Sequence, residues 1–159
     1  MINLKIIAVG NLKDRYLTEA CAEYAKRLSG FCRPEITELK EARLSDAPTD
    51  GEIAAALDDE AERILAAIPP RAFTVALAVE GQSMSSEKLA ARIEAELQTH
   101  SSLCFIIGSS YGLSPRVKKA ADMRLSLSEL TFPHRLFRVM LLESIYRSFT
   151  IIKGTRYHK

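Results

Sequence analysis

Apolar and polar positions alternate along this chain with two periods, and the period switches repeatedly between that of a strand and that of a helix. Ile2–Val9 is a mostly apolar run closed by Gly10, which predicts a strand. From Lys13 to Leu28 the residues Tyr16, Leu17, Ala20, Tyr24 and Leu28 recur at spacings of three and four, predicting a helix with these five on its inner face. Gly30 and Pro34 punctuate its exit, and Glu35–Leu39 predicts a short second strand. The polar stretch Lys40–Asp50 reads as a loop. Thr49-Asp50-Gly51-Glu52 has the form of a capping box. It opens a helix through Ile68, with Ile53, Leu57, Ile64, Leu65 and Ile68 inward, stopped by Pro69-Pro70.

The alternation continues. Phe73–Val79 predicts a strand followed by a turn at Glu80-Gly81-Gln82. Ser85 caps a helix to about Gln98, with Leu89, Ile93 and Leu97 inward. Leu103–Ile107 is apolar at nearly every position, as expected of a strand covered on both faces. Ser114-Pro115 supplies an N-cap and a first-turn proline for a short helix. Arg124–Leu127 predicts a short strand, and Thr131 and Pro133 start a last helix to about Phe149. Strands alternating with helices predict an α/β fold with a largely parallel sheet flanked by helices. At 159 residues, with no linker and no repeat, one domain over 1–159 is expected.

Composition narrows the class without deciding function. With 47% hydrophobic and 26% charged residues the chain is neither disordered nor fibrous in character. Its longest apolar runs are too short for a bilayer span, and its first residues show no secretory pattern. Cys21, Cys32 and Cys104 form no Cys-x-x-Cys pair, so a reducing, cytoplasmic setting is expected, with no disulfide framework. His100, His134 and His158 have no ligand spacing, so no metal is expected. The net charge is only +2, but it is unevenly spread. Residues 113–159 hold ten Lys/Arg against three Asp/Glu, while the remainder carries a net −5, an asymmetry that points to a polyanion at the C-terminal end.

Four segments could carry chemistry. Gly108-Ser109-Ser110-Tyr111-Gly112 lies between a buried strand and a helix, where a ligand can approach backbone closely. It is neither a dinucleotide fingerprint nor a P-loop. Ligands in open α/β sheets sit at the carboxyl ends of strands, which lets Leu77, Gly108 and Leu127 converge on one crevice. Leu127–Phe132 reads on its own as a hydrophobic loop packed on the core, and as an alternative it can offer backbone groups to an adenine edge while burying its ring. The last helix is apolar over too much of its circumference for one buried face, which favours a second burial partner, such as another subunit. The tail from Lys153 to Lys159 combines Tyr157 and His158 with three cations, a mixture suited to base stacking and phosphate contact.

Taken together, Ile107–Leu113, Leu125-Ser126-Leu127-Ser128, Leu130-Thr131-Phe132-Pro133-His134, Arg138-Val139, Glu143, Tyr146-Arg147 and Tyr157-His158 resemble the RlmH-type pseudouridine methyltransferases of the SPOUT superfamily. The resemblance spans the chain. It implies a SPOUT-type α/β domain whose C-terminal segment is threaded into a deep trefoil knot. It implies S-adenosyl-L-methionine bound in a bent form by Leu77, Gly108, Leu127, Ser128, Glu129, Leu130, Thr131 and Phe132. It implies a homodimer whose pocket borrows from the partner. The implied reaction is methylation of N3 of pseudouridine 1915 in the 23S ribosomal RNA of assembled ribosomes. On that basis His134 or His158 is expected to handle the proton, and Arg138 and Arg147 to contact phosphate or carbonyl oxygens. Tyr157, His158 and Lys159 join the two arginines at the substrate. The competing readings are a non-catalytic ribosome-binding protein of the same fold and a SPOUT enzyme acting on transfer RNA.

Overall fold

A computed structural model describes all residues, Met1–Lys159. Five parallel strands form one sheet in the order β2-β1-β4-β3-β5. They are β1 (Ile2–Val9), β2 (Cys32–Leu39), β3 (Phe73–Gln82), β4 (Ser102–Ile107) and β5 (Met123–Leu125). The helices are α1 (Arg15–Leu28), α2 (Asp50–Ala67), α3 (Ser86–Glu96), α4 (Pro115–Ala120) and α5 (His134–Ile152). The expected α/β class with a parallel, helix-flanked sheet is what the chain adopts.

The period of two along the strands divides the core. Leu4, Ile6 and Ala8 of β1 and Leu103, Phe105 and Ile107 of β4 face α1, α3 and α5, and pack with Cys21, Leu28, Ile93, Leu141, Leu142, Ile145 and Phe149. Ile7, Val9, Cys104 and Ile106 face the other way, against Ala61 and Ile64 of α2 and Val117 of α4. Every residue of β4 is therefore buried, which explains its unbroken apolar run. Helix α5 lies between α1 and α3 as well as on the sheet. Three surfaces cover it, which accounts for much of the apolar circumference that pointed to a second subunit.

Several boundaries differ from the sequence expectation for physical reasons. Strand β2 starts at Cys32 rather than Glu35 and contains Pro34, which is tolerated because β2 is an edge strand. Tyr16 was expected on the inner face of α1 but is 70% exposed; Leu17, Cys21 and Leu28 are the buried positions. The inner face of α2 is Ala56, Glu60, Ala61 and Ile64, leaving Ile53, Leu57 and Leu65 half-buried. Strand β3 does not turn at Glu80-Gly81-Gln82. It bulges after Leu77 and pairs again at Gln82, both residues opposite Leu125. A Cβ on Gly81 would lie 2.8 Å from the carbonyl carbon of Leu125, so this close crossing needs glycine. Strand β5 covers Met123–Leu125 instead of Arg124–Leu127, and α5 begins at His134, after Pro133, and extends to Ile152.

The 40–49 loop is tied down by α2. The carboxylate of Glu60, only 4% exposed, accepts the Ala42 N–H at 2.8 Å, and Arg63 donates to the Lys40 carbonyl at 2.9 Å. Burial pushes the Glu60 carboxyl above its ordinary value, with Glu41 and Asp59 adding to the rise and the Ala42 N–H and Arg63 opposing it. A raised carboxyl favours the folded state while protonated and loses that contribution as pH climbs past the ordinary Glu range of about 4.3. Glu60→Gln keeps an acceptor for Ala42 without the buried charge. It is expected to match or exceed the wild type in urea denaturation at pH 7, and to lose any advantage near pH 4. A variant markedly less stable at pH 7 would show that the carboxylate itself is needed there.

Candidate functional site

Three strand ends meet around one cavity of about 300 Å³, at the lower end of the range for small-molecule sites. Leu77 to Glu80 come from the bulged end of β3, and Gly108 to Leu113 form the turn leaving β4. Residues 125–132 follow β5 and lead to α5, which adds His134 and Phe137. The walls are largely apolar, with Leu77, Ile107, Leu127, Phe132 and Phe137, and Phe132 meets Phe137 edge-on at 5.9 Å between centroids.

The turn after β4 is held by its own backbone. The Gly112 N–H donates to the Ser109 carbonyl at 2.9 Å, and the Tyr111 N–H donates to Ser109 Oγ at 3.3 Å. This folds the Gly112 peptide back over Gly108, where a Cβ would stand 2.6 Å from the Gly112 carbonyl carbon. Ser109 is buried with its hydroxyl turned onto the loop backbone, while Tyr111 is 46% exposed at the rim.

The loop after β5 has backbone donors to spare. Across residues 127–132, only the Leu130 N–H finds a protein acceptor, Ser128 Oγ at 2.9 Å. Backbone N–H groups without partners beside an apolar cavity are suited to the polar edge of a bound ring. Glu80 and Lys118 form an ion pair of 2.5 Å across one wall, and Lys118 holds the Glu80 carboxylate below its ordinary value.

Of the residues expected at the cofactor, Leu77, Gly108, Leu127, Ser128, Thr131 and Phe132 line the cavity. Glu129 and Leu130 belong to the same loop but face solvent. His134 also lines it. Burial lowers the His134 pKa; Glu41 opposes the shift, and Arg135 and Arg138 reinforce it, so the ring is neutral at pH 7.

The other expected residues lie elsewhere. Arg138, 6% exposed, donates to Glu38 at 2.5 Å and to the Gly10 carbonyl at 3.2 Å, bracing α5 against the ends of β1 and β2. Burial pushes the Glu38 carboxyl up, but Arg138 and the Leu12 N–H together hold it below its ordinary value. Arg147, Tyr157 and His158 form a second cluster toward the far end of α5. Arg147 donates to Glu143 at 2.5 and 3.1 Å, lies 4.7 Å from the Tyr157 ring centre, and reaches His158 Nδ1 at 3.2 Å. Tyr157 donates to Glu143 at 3.1 Å, and burial together with Tyr24 and Glu143 pushes its hydroxyl up to about 12. Lys159 is exposed. His134 and Arg147 are thirteen positions apart on one helix, roughly 20 Å at 1.5 Å per residue.

The family model described as "Predicted SPOUT methyltransferase" matches residues 2–158. The chain belongs to the SPOUT methyltransferase family. It is 46% identical over 159 residues to the ribosomal RNA large subunit methyltransferase H of Streptococcus thermophilus, covering 99% of this chain and 100% of that protein. Its identity to the protein of the same name from Limosilactobacillus reuteri is 45% over 160 residues, with the same coverage. Among solved structures, the tRNA (m1G37) methyltransferase of Aquifex aeolicus superposes with a TM-score of 0.51 at 16% identity, over 91% of this chain and 69% of that one. That likeness shows a shared SPOUT fold. Within this SPOUT chain, sequence reasoning missed Glu80, Lys118 and Phe137. Glu80 follows closely on the strand end at Leu77, and the rule placing ligands at strand ends was the signal for it.

The Gly108 crossing yields a direct test. Gly108→Ala forces the Gly112 peptide away and is expected to cost more than about 2 kcal/mol, a fall in Tm of roughly 4–8 °C. Gly30→Ala, whose Cβ would meet only ordinary contact at 3.5 Å, is the control and should leave Tm unchanged. Equal melting curves for the two variants would refute the crowding.

Proposed function

We propose that this SPOUT methyltransferase forms one domain over residues 1–159 and transfers a methyl group from S-adenosyl-L-methionine to N3 of a pseudouridine in 23S ribosomal RNA. The observation carrying the cofactor assignment is the run of backbone N–H groups at 127–132, all but that of Leu130 without a protein acceptor, beside apolar walls. The residues present fit the donor: Leu77, Leu127 and Phe132 would enclose its ring, the N–H groups of 127–132 would meet its polar edge, and Gly108 would pass beneath. The bound donor supplies a methyl already activated on sulfonium. The relatives named as large-subunit RNA methyltransferases support the substrate, as does the placement of the cations. Of the ten Lys/Arg after Gly112, five are in ion pairs: Arg116, Lys118, Arg135, Arg138 and Arg147. Lys153, Arg156 and Lys159, in the last seven residues, have no carboxylate partner and can meet phosphates.

The chain's own groups then position and deprotonate. Aligning the acceptor nitrogen with the methyl is worth much of the barrier. Neutral His134, at the cavity wall, accepts the N3 proton as it leaves. Arg147 stabilises charge on the base oxygen or a neighbouring phosphate, with Tyr157 shaping the contact. Arg138, committed to Glu38 and Gly10, braces the His134 end of α5. One chain separates the His134 cavity from the Arg147 cluster by the length of the helix, so a homodimer bringing one chain's tail to the other's cavity completes the site. The C-terminal trefoil knot belongs to the same proposal. The crossing of β3 and β5 at Gly81, and the return of 126–133 from the edge strand to α5 between α1 and α3, are compatible with it.

Labelled-methyl transfer to assembled ribosomes, free ribosomal RNA and transfer RNA, run side by side, tests the substrate. Label in ribosomes is expected, while label in transfer RNA alone would replace the proposed acceptor. Calorimetry with S-adenosylmethionine tests the donor, and absence of heat would favour a non-catalytic binder. His134→Ala is expected to slow single-turnover transfer by about 10²-fold. Because its folded pKa is lowered, the ring stays basic as pH falls through its ordinary value of about 6.5, and the wild-type rate should hold level there. A rate unchanged in His134→Ala removes the histidine from the reaction.

A further inference from the structure

The tail cluster contains a hydrogen-bond chain that reaches a third element. His158 Nδ1 lies 3.2 Å from Arg147 Nη1, and His158 Nε2 lies 2.8 Å from Glu87 Oε1 in the first turn of α3. Arginine only donates, and an ionised carboxylate only accepts. Nδ1 must therefore be the bare nitrogen and Nε2 must carry the hydrogen. Glu87 is held below its ordinary carboxyl value with His158 as the first cause, which agrees with an ionised acceptor. Both ring nitrogens are engaged: Nε2 carries its hydrogen toward Glu87, and the one basic lone pair, on Nδ1, faces Arg147.

This arrangement sets the direction of Arg147. Of its five N–H donors, Nε and one on Nη2 go to Glu143, and one on Nη1 goes to His158. Two remain, one on each terminal nitrogen, and the side chain is 28% exposed. Two N–H groups on neighbouring nitrogens form the fork that reads a phosphate or a pair of oxygens. The guanidinium is clamped by Glu143 on one edge, His158 on the other and the Tyr157 ring across its face.

We propose that Glu87 is a positioning residue of this enzyme: by holding His158 as its Nε2–H tautomer it aims the two spare donors of Arg147 at an oxyanion of the RNA substrate. The inference rests on the reading of Arg147 as an RNA contact. It assigns His158 a bracing role and leaves proton transfer to His134.

Long-range nitrogen-15 NMR of full-length protein at about pH 8, above the ordinary histidine range, reads the tautomer without any reaction. The expected spectrum has a pyrrole-like Nε2 and a pyridine-like Nδ1 for His158. The reverse pattern, or the averaged signals of a free ring, overturns the proposal. Glu87→Ala should raise KM for ribosomes by about two- to fivefold, the size of an exposed ion pair, with kcat and S-adenosylmethionine affinity little changed. Glu87→Gln keeps an acceptor and should restore most of the loss. Glu87→Ala should add nothing on a His158→Ala background. An unchanged KM in Glu87→Ala, or independent effects of the two changes, refutes the coupling. Should the wild type methylate no RNA, the reading of function falls while the tautomer result still stands on its own.

Discussion

At the end of β4 the backbone doubles back so tightly that the Gly112 peptide occupies the space where Gly108 would carry a side chain. At Gly81 the bulged end of β3 passes against the Arg124 and Leu125 backbone, where a Cβ would stand 2.9 and 2.8 Å from their carbonyl carbons. These two crossings bring the ends of β3, β4 and β5 together. Backbone packs on backbone, with no side chain between them to yield. The cavity is the space left over, and its walls inherit the rigidity of the crossings. The loop from 126 to 133 bonds to itself only around Ser128, which leaves the N–H groups of Leu127, Ser128, Glu129, Thr131 and Phe132 without a protein acceptor.

The same geometry explains which parts of the site were legible in the sequence. Glycines next to a fully apolar strand announce close approach, and strand ends announce ligand sites, so Leu77, Gly108 and Leu127 could be placed before any coordinates. The Gly81 crossing could not. A Glu-Gly-Gln triplet reads as a turn, and only pairing with β5, more than forty residues later, keeps it in the strand. Pro34 misled in the same way, because an edge strand tolerates a residue that a central strand rejects. Glu60 was invisible to periodicity, since a buried carboxylate looks like surface until the Ala42 N–H that it caps is in place. Tyr16 shows the opposite error: an aromatic at helical spacing need not face the core. The resemblance identified the family, but it did not show that Arg138 and Arg147, nine positions apart on α5, have quite different surroundings. Arg138 is enclosed by the ends of β1 and β2, and Arg147 is ringed by the tail.

Charge follows a similar logic. A +7 segment suggests a polyanion partner, but half of its cations are neutralised in place by acidic residues, most of them from the rest of the chain. What distinguishes the C-terminal end is the position of the cations left over, concentrated beyond α5 next to Tyr157 and His158. Ion pairs on an exposed surface contribute little to stability. Their consequence here is to remove Arg116, Lys118 and Arg135 from competition for RNA and leave the tail as the basic edge.

Under the proposed reading, the separation along α5 then constrains the assembly. A methyl group moves only between atoms about 3 Å apart, whereas the cavity at His134 and the fork at Arg147 are separated by most of a 19-residue helix. The tail could swing to the cavity of its own chain, but that would break the bonds from Tyr157 to Glu143 and from His158 to Arg147 and Glu87. It would also leave Arg147 behind, because that residue is fixed in the helix. A two-fold axis needs no such rearrangement. It sets one chain's Arg147 and docked tail beside the other chain's cavity, and the same operation fills both sites. The bonds that hold the tail down then serve the assembly directly, since a tail already ordered on its own helix loses less conformational entropy when it meets a partner.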